Sequence, residues 1–320
     1  MTTCAKTISA AMLGLSVAAL FGQTAPPSIL EIEVQNRAFY GNRVEWEKLA
    51  SDPNPQPIPQ QPAPAFGVVT AIGDIVALNG KPARGIWVDR FQVLQTSPSP
   101  QPGQTIADVS RFAADEHVFD ILQLDGTWIG TITASGLSNY PSDLANTNGL
   151  VVTGGAGAYL GVRGAYVSAS GGFGRATTTA EDPSVRRNFA GSSIKFQIQL
   201  IPLQAPQVLT NAGQPEMYHS DLSPITSANP ARPGEVVILA AIGLGPTRPS
   251  GDRPGMIVNS PVSVIANGVA IDTINQMGWP GRDSVYRVDF RMPDVSAGVA
   301  RVRLNVAGIE GPELQLAVGE

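Results

Sequence analysis

The chain has 320 residues and a formal net charge of −5, with no cluster of lysine or arginine. That argues against a nucleic-acid partner, which needs a basic stripe to meet phosphates. Charged residues are only 15% of the chain, alongside 34 glycines and 27 prolines, a balance that suits short strands joined by many turns and not helical bundles.

The N-terminus reads as a secretory signal peptide over residues 1–25: a weakly positive Met1 to Lys6, an apolar, small-residue run from Ile8 to Phe21, then Pro26 and Pro27. Cleavage is expected between Ala18 and Ala25. The apolar run is too short for a comfortable membrane span, an uncleaved anchor being the alternative. Cys4 is the only cysteine; it precedes the apolar run and leaves with the signal. The mature protein then has no disulfide, thiolate nucleophile or zinc–thiolate site. No later segment is apolar and long enough to cross a bilayer, so the address is the cell envelope or the medium.

Ile29 to Phe39 alternates, with Leu30, Ile32 and Val34 on one side and Glu31, Glu33 and Gln35 on the other, which predicts a strand. Val44 to Leu49 reads as a short helix or a turn. Residues 52–64 are proline-dense and predict an extended, polyproline-like insert without a core. Further strands are predicted at Phe66 to Val76, Gly85 to Gln95, Glu116 to Leu124, Thr127 to Ala134, Leu150 to Thr153, Arg163 to Ala169 and Ser193 to Ile201. The last is the clearest, with Ile194, Phe196, Ile198 and Leu200 alternating against Lys195, Gln197 and Gln199. Turns fall at Asn79-Gly80, between Pro98 and Gly103, and at Asp125-Gly126. Eight such strands predict a closed antiparallel barrel, because closure removes exposed edges.

Residues 202–206 mark a boundary, so the barrel domain is placed at 26–202. A second all-β unit at 205–320 has strands at Glu235 to Ile242, Val262 to Asn267, Val285 to Met292, Ala300 to Ala307 and Glu313 to Val318, with a hairpin turn at Asn267-Gly268. Its length and pattern predict an immunoglobulin-like β-sandwich.

Leu150 to Tyr166 carries glycines at 154, 155, 157, 161 and 164. A dinucleotide loop needs a helix directly after its glycines, whereas Ala165 onward reads as strand, so that reading is rejected. The segment instead resembles the glycine-rich strand-turn-strand of the allene oxide cyclase and dirigent β-barrel families. Leu30-Glu-Ile-Glu33 resembles the first strand of the cyclases, and Gly73-Asp-Ile-Val76 with Asn79 and Lys81 resembles a second motif. The resemblance implies an eight-stranded barrel with an apolar interior, often a homo-oligomer. It also implies a first-strand carboxylate at Glu31; the asparagine of the family is Glu33 here, and the family cysteine falls near Phe91 and is absent. Arg232 to Ile238 and Gly243 to Thr247 resemble the opening of an immunoglobulin-like module related to IPT/TIG domains, common in bacterial exported proteins, which implies display or spacing.

The candidate catalytic pair is Glu31 and Glu33, which share one strand face. Facing the interior, one of them would have a raised pKa and serve in proton transfer; with Leu30, Ile32 and Val34 inward, both are solvated instead. Alternation and resemblance favour opposite phases, and both stand. Trp87, Phe91 and Tyr159, with Trp128, are candidate cavity-lining aromatics, or else packing. Arg163, with Asp74, Asp89 and Arg90, is a candidate polar patch at the barrel mouth, or else surface charge. His117 and His219 lie in different units and predict no metal site, and no cofactor is expected. The favoured reading is an exported protein whose barrel binds or guides a small hydrophobic molecule, with cofactor-free isomerisation or cyclisation as its chemical variant. The alternative is a non-enzymatic surface protein with a filled barrel.

Overall fold

The computed structural model describes residues 28–41, 68–95, 111–139, 150–171, 174–189, 193–251 and 254–320. The expected signal peptide, Val44 to Leu49, the proline-rich stretch and the turn region between Pro98 and Gly103 lie outside the described residues. The first unit is built from β1 (Ser28–Gly41), β2 (Val68–Leu78), β3 (Lys81–Gln95), β4 (Arg111–Leu122), β5 (Trp128–Asn139), β6 (Leu150–Gly157), β7 (Arg163–Gly171), β8 (Arg175–Thr178) and β9 (Ile194–Ile201). Strands β2 to β7 pair in chain order, β7 pairs with β9, β9 with β1, and β1 closes on β2. This is the expected closed eight-stranded antiparallel barrel; β8 is an additional strand lying parallel to the end of β1.

Period-two patterning decides what goes inside. Ile194, Phe196, Ile198 and Leu200 are all buried, as are Leu30, Ile32 and Val34. The alternation of β1 breaks at Asn36, which has φ 53°, with a register shift against β2 between Gln35 and Ala38. Such a bulge re-aims the residues that follow it. Arg37 and Phe39 are thereby buried together. Gly73 makes room for this crossing: a Cβ there would lie 2.4 Å from Val34 Cγ1 and 3.0 Å from Arg37 Cγ.

The short β8 and the 3-10 turn Pro183–Asn188 were not predicted. An ion-pair set fastens them to the barrel wall. Arg175 pairs with Glu181, and its guanidinium sits 4.0 Å from the Phe189 ring centroid. Arg186 and Arg187 both pair with Asp74, Arg187 at 2.7 Å. Burial opposes ionisation of Asp74, but hydrogen bonds from Arg187 and Asn36 and the nearby Arg186 charge hold its carboxyl below the usual range. Asp74→Asn is expected to cost about 1–3 kcal/mol and to raise hydrogen exchange at 175–189 before the rest of the barrel. Equal exchange in both proteins would refute this anchoring role.

The second unit is a curled eleven-stranded sheet. Its five predicted strands are present; the other six strands of the sheet were not predicted, and the longest of them is Val269–Gly278. This strand belongs to two layers: its first half pairs with Val262–Ala266, its second with Tyr286–Arg291. A register shift between Thr273 and Asn275 breaks its alternation, which hid it from the sequence pattern. Val237, Leu239, Val288 and Phe290 of one layer and Val264, Val302, Leu304 and Leu316 of the other are buried in one core. The Asn79-Gly80 and Asn267-Gly268 turns both have paired positive φ values (48° and 73°; 47° and 85°), as two-residue hairpins require.

The second unit closes one end of the barrel. The Tyr159 hydroxyl donates to the Ala307 carbonyl at 3.0 Å in a buried contact, and Glu310 N–H donates to Ser28 Oγ at 3.0 Å. Gln123 Nε2 donates to the Asn259 carbonyl. Gly308 lies so close to Leu30 that a Cβ would be 2.5 Å from Leu30 Cδ1.

Candidate functional site

The barrel interior holds a polar group set inside an aromatic shell. On β3, Trp87, Asp89 and Phe91 share the inner face; on β4, Asp115, His117, Phe119 and Ile121 do. Antiparallel register sets Asp89 opposite His117, Trp87 opposite Phe119 and Phe91 opposite Asp115, and such directly paired side chains touch. Tyr166 enters from β7, Phe196 from β9 and Arg37 from β1, all buried.

Geometry fixes the state of the histidine. Trp87 Nε1–H donates to His117 Nδ1 at 3.1 Å, so the imidazole keeps its own proton on Nε2, which faces Asp89 Oδ1 at 3.5 Å. Burial pushes the pKa of His117 down to about 3, and the indole donor on Nδ1 opposes protonation there. The ring is neutral at ordinary pH. Its centroid lies 5.2 Å from that of Tyr166 and 5.8 Å from that of Trp87. Burial, followed by the charges of Asp89 and Asp115, raises the Tyr166 phenol well above its ordinary value, so Tyr166 is a neutral donor. Its hydroxyl is buried and has no hydrogen-bond partner among the described residues.

This arrangement sets two donors, the Tyr166 phenol and the Arg37 guanidinium, beside two carboxylates. An unmatched buried hydroxyl such as that of Tyr166 is costly to retain in a packed barrel. The surrounding rings are close: Phe119–Phe196 5.2 Å, Trp87–Phe196 5.4 Å and Phe39–Phe91 6.3 Å between centroids.

The residues singled out in the sequence are distributed unevenly around this site. Trp87 and Phe91 belong to it. Glu31 and Glu33 do not: alternation prevails on β1, and both carboxylates lie on the outer side of the strand. Lys195 Nζ sits 3.1 Å from Glu31 and 3.7 Å from Glu33. The Glu33 carboxyl is held below the usual range, first by its hydrogen bond from Gln35 and then, against some burial, by Ser193 and Lys195. That is the reverse of the raised pKa expected for a pair inside the barrel. Tyr159 is buried at the junction with the second unit, not in the ring cluster, and burial raises its phenol pKa. Arg163 is exposed and donates to the Val162 carbonyl at 3.1 Å. Of the mouth patch, Asp89 is interior, Arg90 pairs with Glu116 on the outside, and Asp74 pairs with Arg186 and Arg187; the cavity candidate Trp128 is exposed and donates to Asp120 at 2.9 Å. His219 is held by Glu235 at 3.1 Å. Among the described residues no three His, Cys, Asp or Glu side chains converge as a metal site would require, and no helix is long and apolar enough to cross a membrane.

Asp115, His117, Tyr166 and Arg37 were not singled out as site residues. A signal for two of them was present: if Phe119 and Ile121 face inward, period two carries His117 and Asp115 inward as well. Arg37 carried no such signal, because the bulge at Asn36 resets the phase.

No family model and no curated protein matches the sequence. Among solved structures the chain is similar to a polysaccharide lyase at 8% identity and a TM-score of 0.19, over 92% of this chain and 40% of that one. The chain thus spans less than half the length of that protein, and a likeness at this level bears on neither fold nor activity.

Proposed function

We propose that this is an exported protein whose barrel binds or guides a small, largely apolar molecule. The observation that carries the reading is the placement of Asp89, Asp115, His117 and Tyr166 on the inner wall of an otherwise aromatic interior. Rings supply apolar contact, and a few convergent polar groups fix orientation, as in small-molecule sites generally. In the chemical variant, a carboxylate of Asp89 or Asp115 takes a proton from a carbon of the ligand. Tyr166 stabilises the adjacent oxygen, and the proton returns elsewhere, giving isomerisation or cyclisation without a cofactor. The closed barrel and the glycine motif support kinship with the allene oxide cyclase and dirigent barrels, often oligomeric. The layered second unit supports an immunoglobulin-like spacer.

The test compares 2-naphthol with naphthalene, which has the same rings without the hydroxyl. The wild-type protein should bind 2-naphthol about ten-fold more tightly, the worth of one buried hydrogen bond, and Tyr166→Phe should erase the preference. No binding of either probe, or a preference unchanged in Tyr166→Phe, overturns the proposal. A filled barrel serving only as a rigid structural module is favoured by the close ring packing, and it predicts the first of these negative results.

A further inference from the structure

A second candidate site lies between the two units, apart from the barrel interior. Strand Val262–Ala266 buries Val262, Val264 and Ala266 in its own core and turns Ser263 and Ile265 toward the barrel end. Ala270 sits opposite Ile265 in the ladder, and Asp272 opposite Ser263. The barrel presents Leu122, Leu124 and Ile129 to the same space, a crevice of about 510 Å³.

Three observations say what it holds. Its size lies within the range of small-molecule sites, roughly 300–1,000 Å³. The units cannot close over it, because the buried Tyr159–Ala307 bond and the Gly308–Leu30 contact already set their separation, and most of its wall is apolar, from Leu78, Leu122, Leu124, Ile129, Ile265 and Ala270. Charge is confined to the rim and compensated there: Lys81 faces Asp272 at 3.9 Å, with side chains 72% and 94% exposed, and Arg248 faces Asp125 at 3.9 Å. These pairs bridge the two units, and exposed pairs of this kind are weak, so the rim opens at little cost.

We propose that the crevice binds a small uncharged apolar molecule carrying one hydrogen-bonding group, which the Ser263 hydroxyl meets. An ionised ligand finds no unmatched charge, because the charged lining residues Lys81, Asp272 and Asp125 are already paired.

The test uses the full chain and the neutral fluorophore N-phenyl-1-naphthylamine. Wild-type protein should give a saturable one-site enhancement. Ala270→Trp, at an exposed strand position, fills the crevice and should weaken binding at least about ten-fold. Ser263→Lys brings a charge into the wall and should do the same. Val299→Lys, at an exposed position outside both sites, should leave the titration unchanged. Binding that survives Ala270→Trp and Ser263→Lys, or is lost as strongly in Val299→Lys, places the fluorophore elsewhere and overturns the proposal. No enhancement in the wild type overturns it too.

Discussion

Gly164→Ala is expected to lower stability by at least about 3 kcal/mol, enough to leave a marginal domain largely unfolded. Gly164 stands on β7 between Val152 of β6 and Leu200 of β9. Its φ is +155°, and a Cβ there would lie 1.8 Å from the Gln199 carbonyl oxygen and 2.9 Å from its carbon. Those atoms are backbone of the neighbouring strand and cannot rotate away. The methyl group must push β7 off β9, which opens the ladder that closes the barrel. Gly126 provides the comparison. It also has a positive φ, +88°, but sits at an exposed hairpin tip with no atom within 4 Å of a built Cβ. Gly126→Ala therefore carries only the backbone term, about 1–2 kcal/mol. Urea denaturation of both variants separates the two contributions. Equal losses would mean that close strand approach at Gly164 is not what the glycine provides.

The second large effect is in acid. His117 is neutral in the folded protein down to about pH 3, while in the unfolded chain it protonates near its ordinary value of about 6.5. Above pH 6.5 neither state binds the proton, and the contribution of His117 is fully present. Between pH 6.5 and 3 the unfolded chain takes up a proton that the folded chain refuses, so stability falls as pH falls, with a limiting slope of about 1.4 kcal/mol per pH unit. His117→Gln removes the titration while keeping an acceptor for the Trp87 indole. The stability of the variant should decline more shallowly than the wild type from pH 6 to pH 4, whatever its value at pH 7. Parallel curves would show that His117 takes up its proton in the folded state, on Nδ1, with the Asp89 carboxylate beside Nε2 compensating the charge.

Much of the architecture is legible along single strands. The alternation of Ile194 to Leu200 and of Leu30 to Val34 sorts inner from outer residues, and the burial of these seven side chains follows it. The paired turns at Asn79-Gly80 and Asn267-Gly268 are legible for the same reason, since their backbone torsions depend on the local residues alone. The site is only half legible. Trp87 and Phe91 are on the inner face as period two requires, and applying that rule to β4 would have brought in His117 and Asp115. The first-strand carboxylates follow the alternation of β1 rather than the phase the resemblance implied, and Lys195 pairs with both on the outer side.

Composition and periodicity determine that this chain is all-β, that its N-terminal strands can close on themselves, and which side of each regular strand is apolar. Those properties follow from side-chain chemistry repeated at a two-residue spacing. Folding alone decides that Asp89 meets His117, that Tyr166 shares their space, that a bulge at Asn36 buries Arg37, and that Gly308 abuts Leu30 at the barrel end. Each of these depends on register between strands distant in the chain and on how one unit seats against the other. Hydrogen bonding across a closed sheet fixes that register collectively, and no individual strand encodes it.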